Sequence, residues 1–217
     1  MNSNSVNEKK IKNWKKSVEN SGCTIRSLEA IKEIRKKDGS LLFALLETDV
    51  ISPEGNKLPH VLFIRGDACV IVTLIKNSDT GEEKFLMVGQ RRIGNGFMSL
   101  EFPAGMLDEE DDPVEVAIQE LYEETGLRVS RSDIYPLNDK KLYSSAGASD
   151  EGIYYYGCIK KMDEKTYHSF ANKKTGSVHE NEFITTVLKT RTEAEKESSS
   201  LQVRLGFYLF ENSRNSG

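Results

Sequence analysis

Glu120, Glu123 and Glu124 stand at i, i+3 and i+4 in the stretch ELYEETG, residues 120–126, which has the pattern of a short helix stopped by a glycine. Neighbouring like charges at that spacing destabilise a helix by a few tenths of a kcal/mol per pair. Acidic groups near a helix C-terminus also oppose its dipole. Local stability therefore does not account for them. Carboxylates that converge without lysine or arginine partners suit a hard divalent cation such as Mg²⁺, which takes oxygen ligands and keeps waters for a substrate. The alternative for these three residues taken alone is a solvated acidic face.

The element that must position them has clear ends. Asp112-Pro113-Val114-Glu115 is a helix start, with Asp as N-cap, Pro at the first helical position and Glu three residues after the cap. Gly126 is the matching stop. Val114, Ala117, Ile118 and Leu121 form an apolar stripe that turns one side of this helix to a core. Ahead of it, EFPAG at 101–105 has the form of a strand running into a tight turn.

The run GMLDEEDDPVEVAIQELYEETGL, residues 105–127, resembles the Nudix box, G-x5-E-x7-R-E-U-x-E-E-x-G-U, in which U is a bulky aliphatic residue. Gly105, Glu120, Leu121, Glu123, Glu124, Gly126 and Leu127 match; Asp111 stands at the first Glu and Gln119 at the Arg. From about Lys10 to Glu211 the chain is similar to the ADP-sugar branch of that family, through EFPAG, QRR (90–92), SSAGASDE (144–151) and HENEF (179–183). The order of elements resembles the plant ADP-glucose/ADP-ribose pyrophosphatases.

The resemblance implies a Nudix α/β/α sandwich with a mixed sheet, preceded by a small N-terminal β-meander. It implies Mg²⁺-dependent hydrolysis of the diphosphate of ADP-ribose or a related ADP-sugar, giving AMP and a sugar phosphate, with Mn²⁺ as an alternative metal. Glu120 and Glu124 take the positions of the principal metal ligands, Glu123 that of an accessory ligand at the catalytic centre, and Ala104 that of a backbone carbonyl in the metal shell. Glu182, and after it Glu180, falls where the branch carries its general base. Arg92 and Glu101 match substrate-binding residues, with Arg91 competing for the arginine's role, and Gly147 matches a loop glycine beside the distal sugar. Ala146 replaces the proline usual in that loop. Without the arginine at position 119, the acidic cluster should depend more on bound metal for stability. Other readings are a pyrophosphatase for UDP-glucose, GDP-mannose or NADH, and a weakly catalytic nucleotide-sugar sensor. Phe43 and Phe63 are aromatic candidates for stacking on the base, and neither is assigned. The meander resembles the segment through which the branch forms homodimers.

The remaining chain sets the frame. Its 217 residues are 37% hydrophobic and 29% charged, enough for a proper core. A net charge of -4 gives no general attraction to nucleic acid or an anionic membrane, so an anionic substrate needs local cations or a metal. No apolar run approaches a membrane span or a signal peptide, and the expectation is a cytoplasmic protein. Cys23, Cys69 and Cys158 lack paired spacing and are expected as free thiols. There is no G-x-G-x-x-G and no G-x4-G-K-[ST], which excludes the common phosphate loops. Residues 8–20 read as an amphipathic helix. TIRSLEAIKEI, SLLFALLETDVI and PHVLFIR form a meander broken by KKDGS and SPEGN, the first segment being ambiguous between helix and strand. CVIVTLI and KFLMVGQRR make a hairpin around NSDTGEE. IYPLNDKKLYSS, GIYYYGCIKKM and EFITTVLK are further strands, with Tyr154, Tyr155 and Tyr156 as core material. Residues 163–181 are expected as a polar loop, 190–200 as a helix start or linker, LQVRLGFYLFEN as a closing helix and SRNSG as a frayed tail. The mixed order indicates an α/β or α+β layered fold, with residues 1–66 as a helix and meander and 67–217 as the hydrolase domain.

Overall fold

A computed structural model describes residues 8–108, 112–176 and 183–215. The chain divides into two compact units. The first is Met1–Ala68, Met106–Asp111 and Leu142–Ile153; the second is Cys69–Gly105, Asp112–Lys141 and Tyr154–Gly217.

The first unit opens with helix α1 (Lys9–Asn20), followed by strands β1 (Thr24–Arg35), β2 (Leu41–Ile51) and β3 (Val61–Ile64). They form an antiparallel three-stranded sheet in that order. The KKDGS and SPEGN turns are hairpin loops with Gly39 at φ 90° and Gly55 at φ 86°, a conformation that glycine adopts without Cβ strain. Alternate residues of β2 point inward, and Leu41, Ala44 and Leu46 join Ile11 of α1 and Ile64 of β3 in one buried cluster flanked by Trp14 and Leu28. The ambiguous TIRSLEAIKEI is a strand. Its register against β2 slips at Ile25/Ser27, Ala30/Lys32 and Ile34/Arg35, and each slip reverses the facing of the residues beyond it, which blurs the two-residue period.

The second unit is built on β4 (Ala68–Asn77), β5 (Glu83–Arg91), β6 (Met98–Glu101) and β7 (Ala104–Met106), then helix α2 (Pro113–Thr125) and β8 (Ile134–Pro136). After β9 (Leu142–Tyr143), which belongs to the first unit and pairs with Gly152 and Ile153, come β10 (Gly152–Met162), α3 (Glu164–Ser169), β11 (Lys174–Thr175), β12 (Ile184–Lys189), α4 (Arg191–Glu197) and α5 (Leu201–Asn215). The sheet runs β11-β12-β5-β4-β10-β8, with β6 on β5 and β7 on β4.

Central strand β4 is almost wholly buried, as its unbroken apolar run requires when both faces are covered. On one face lies α5: the ring of Phe207 is 4.8 Å from Phe85 and 5.0 Å from Phe102, both edge-on, and Gly206 lets the helix approach Val72 of β4. Cys69, three residues from Val72 on the same strand and so on the other face, lies by the α2 carboxylates. The sheet thus sits between helices as an α/β sandwich. Tyr155 and Tyr156 are both buried core residues on β10.

Three expectations need correction. Residues 163–181 are not simply a loop: Asp163 accepts from the Thr166 amide and caps α3, and Lys174 pairs with Thr185 to make β11. Residues 190–200 hold the full helix α4, with Thr190 and Glu193 in a reciprocal capping box. The closing helix continues to Asn215, taking in most of the expected tail. All three cysteines are free. No helix among the described residues is long and apolar enough to cross a membrane.

Candidate functional site

Helix α2 begins and ends where its residues dictate. The Asp112 carboxylate accepts from the Val114 amide at 3.0 Å, and Pro113 opens the helix. Arg131 Nη1 donates to Asp112 at 2.6 Å and to Glu115 at 2.9 Å, so Glu115 serves this bridge. Bonding from Arg131, then from the Val114 amide, holds the Asp112 carboxyl below the usual carboxylate range. At the other end Gly126, φ 78°, donates to Tyr122 O. Lys173 Nζ donates to Thr125 O at 3.2 Å and the Thr175 hydroxyl to Glu124 O at 2.5 Å. A lysine at these last carbonyls offsets part of the dipole that the glutamates oppose.

Val116, Ala117 and Leu121 are buried, while Val114 and Ile118, also expected in the stripe, are half-buried. This seam carries Glu124 inward, to 5% exposure. Its Oε2 accepts from the Ala104 amide at 3.1 Å, in β7. Glu120, one turn earlier, lies against Gly105: a Cβ there would overlap its carboxylate. Cys69 lies close to both acids. Burial, then the charges of Glu120 and Glu124, push its thiol up to about 12, and it stays protonated. Glu123 is exposed and accepts from Gln119 Nε2 at 2.9 Å. Ala104, Glu120 and Glu124 are therefore brought together at the β7 strand, with Glu123 on the outer side of the helix. Among the described residues no three His, Cys, Asp or Glu side chains form a ready group for a metal ion.

A family model described as the NUDIX domain matches residues 67–195. The chain belongs to the Nudix family. This Nudix chain is 27% identical over 199 residues to "Nudix hydrolase 14, chloroplastic" of Arabidopsis thaliana, covering 88% of this chain and 63% of that relative; it spans less than two thirds of the relative's length. Its fold is similar to a structure titled "Crystal structure of ADP compounds hydrolase", with TM-score 0.61 and 14% identity over 89% of this chain and 95% of that one.

The other predicted residues of the Nudix chain fall as follows. Arg92 Nε donates to both Glu101 oxygens at 3.1 and 3.2 Å and Nη2 to Oε2 at 2.7 Å, a forked pair with Glu101 the more enclosed partner. Arg91 faces solvent and donates to Gly96 O at 2.6 Å. Gly147 lies in the first unit, where a Cβ would meet open space. Phe43 and Phe63 pack on each other there at 5.4 Å. Glu180, Glu182 and Asp111 lie outside the described residues. Sequence reasoning did not find Cys69, Arg131, Lys173 or Thr175. Arg131 is 16 residues from Glu115, beyond any helical spacing rule, and Lys173 and Thr175 sit in what read as a polar loop.

Proposed function

We propose that this Nudix hydrolase cleaves the diphosphate of ADP-ribose or a related ADP-sugar to AMP and a sugar phosphate, using Mg²⁺ or, in its place, Mn²⁺. The observation that carries the reading is the placing of Glu120 and Glu124 on one face of a capped helix against the Ala104–Gly105 strand. The names of the Arabidopsis relative and of the structural neighbour support the reaction type and the ADP moiety respectively.

The donor set fits a hard cation: two carboxylates of one helix set against the Ala104–Gly105 strand. Glu120 and Glu124 would hold the ion, with Ala104 O and Glu123 as further oxygens once Glu123 leaves Gln119. When bound, a divalent ion neutralises diphosphate oxygens and makes water a better nucleophile. Glu182, or Glu180, takes the proton of the attacking water. Arg92, held straight by Glu101, and Arg91 beside it, supply positive charge to the diphosphate. Gly147 is carried as the distal-sugar glycine on the family resemblance alone. The three free thiols fit a reducing compartment, the cytoplasm in the first instance, and the active form is a homodimer through residues 1–66, with 67–217 as the hydrolase domain.

A nucleotide-sugar sensor with weak catalysis is the second reading, favoured by the Gln119–Glu123 bond, which engages one of the three glutamates within its own helix. The test is incubation with Mg²⁺ and a panel of ADP-ribose, ADP-glucose, UDP-glucose, GDP-mannose and NADH, with product identification. AMP from the ADP-sugars supports the proposal. Turnover of only the UDP or GDP compounds moves the specificity, and tight binding without turnover of any supports the sensor.

A further inference from the structure

The glutamate helix has no basic residue in its own last turn, although that turn carries Glu123 and Glu124 against the helix dipole. A distant stretch of the second unit supplies one. Lys173 Nζ donates to Thr125 O at 3.2 Å and occupies the space that Gly126 leaves, since a Cβ there would overlap the ammonium. Two residues on, the Thr175 hydroxyl donates to Glu124 O at 2.5 Å. That carbonyl belongs to the glutamate whose side chain meets the Ala104 amide.

Both donors are themselves fixed. Thr186 of β12 is fully buried; its hydroxyl donates to Phe170 O at 2.5 Å and accepts from the Lys173 amide at 3.1 Å. Its own amide donates to Lys173 O at 2.9 Å, and its carbonyl accepts from the Asn172 amide at 2.8 Å. One threonine thus ties both ends of the 170–173 turn, in which Asn172 takes φ 59°, a left-handed setting more open to Asn than to most side chains. Beyond the turn Lys174 and Thr175 pair with Thr185 and Ile184 as β11, and β12 pairs with β5. A continuous line of bonds runs from the sheet to the last carbonyls of α2, all within the second unit. The last four carbonyls of a helix have no partner inside it, and a turn without outside donors frays. Glu124 is the second-last residue of α2, so its carboxylate keeps its place at Ala104 only while that turn does.

We propose that Thr175, with Lys173, is a positioning residue for the metal-binding carboxylates, holding the C-terminal turn of α2 to the sheet and so setting Glu124 for the ion. The inference rests on reading Glu120 and Glu124 as metal ligands. It gives β11, which lies outside the box, a part in the site.

The test compares Thr175→Val, Thr175→Ser and Lys173→Met with the wild type. Melting temperature, Mn²⁺ affinity from electron paramagnetic resonance and turnover of ADP-ribose are measured for each. Val203→Ala, at a buried position of α5, is the control for lost stability alone. Thr175→Val keeps the shape of the side chain and removes its hydroxyl. Its Mn²⁺ affinity and kcat should each fall about tenfold, with KM within about twofold. Thr175→Ser restores the donor and should recover both. Removing a nearby cation would by itself favour Mn²⁺ binding; lost positioning makes Lys173→Met bind it about twofold or more weakly instead. Val203→Ala should lower the melting temperature and leave Mn²⁺ affinity unchanged. Wild-type Mn²⁺ affinity in a folded Thr175→Val, or an equal loss of it in Val203→Ala, overturns the inference. If Thr175→Val does not fold, Lys173→Met, a change at an exposed side chain, decides by the sign of its effect. A wild type that binds no Mn²⁺ removes the metal reading and the inference with it. A wild type that binds Mn²⁺ and cleaves no nucleotide removes only the proposed reaction, and the Mn²⁺ affinities still decide the positioning.

Discussion

The Ala104 amide donates to the Glu124 carboxylate at 3.1 Å, joining points 20 residues apart. Glu124 is nearly buried, so this N–H has a stake in the side chain's identity. Glu124→Gln keeps an acceptor for it, and the variant should melt close to the wild type. Glu124→Ala leaves the amide without that acceptor, and urea denaturation should register a loss of about 1–3 kcal/mol.

Gly105 is needed for space beside Glu120 more than for backbone freedom. A methyl group there overlaps the Glu120 carboxylate, at the far end of a flexible side chain, and not the backbone. Gly105→Ala should therefore fold with a near-normal melting temperature and lose most of its activity and Mn²⁺ affinity. Equal losses of stability and activity would mean that the strand itself had been disturbed.

On the proposed reading of the site, with Gln119 at the position of the box's cation, bound metal should relieve repulsion among the glutamates. Mg²⁺ at 100 times its Kd should add about 2.7 kcal/mol to stability, which for a chain of this length raises Tm by about 5–11 °C. EDTA should reverse the shift, as followed by differential scanning fluorimetry. An identical melt with and without Mg²⁺ speaks against the metal site.

Asp150 anchors the loop that carries Gly147: its Oδ1 accepts from the Arg65 amide at 2.7 Å and the Gly66 amide at 3.1 Å. Burial raises its carboxyl above the ordinary 3.8, against the pull of those two amides. The folded chain thus holds this proton to higher pH than the unfolded chain does. The group's contribution to stability falls as pH rises from about 3.8 to the raised value, and the penalty persists above it. Asp150→Asn keeps the acceptor and removes the charge. Its Tm should exceed the wild type's at pH 7.5 by up to a few degrees, and the gain should vanish by about pH 3.5.

The parts of this account visible in the sequence are those fixed by local chemistry. Asp112, Pro113 and Gly126 set the ends of α2 through their own side chains and backbone, and the turns at Gly39, Gly55 and Gly81 each require the positive φ that glycine supplies. Glu120 and Glu124 were legible because the box fixes their spacing. What stayed hidden depends on distant partners. The strand character of β1 is masked by three register slips, and α3 and β11 are too short and polar to show a period. The Arg131 bridge to the start of α2 and the Lys173 and Thr175 bonds to its end join residues that only the fold brings together.

The most direct measurement is ADP-ribose turnover by the wild type and Glu124→Gln, with and without Mg²⁺, AMP and ribose 5-phosphate being quantified. The account predicts Mg²⁺-dependent formation of both products by the wild type. It predicts a fall of about a hundredfold or more in kcat for Glu124→Gln, at an unchanged melting temperature. Undiminished turnover by a folded Glu124→Gln, or turnover by the wild type that EDTA leaves intact, would contradict it.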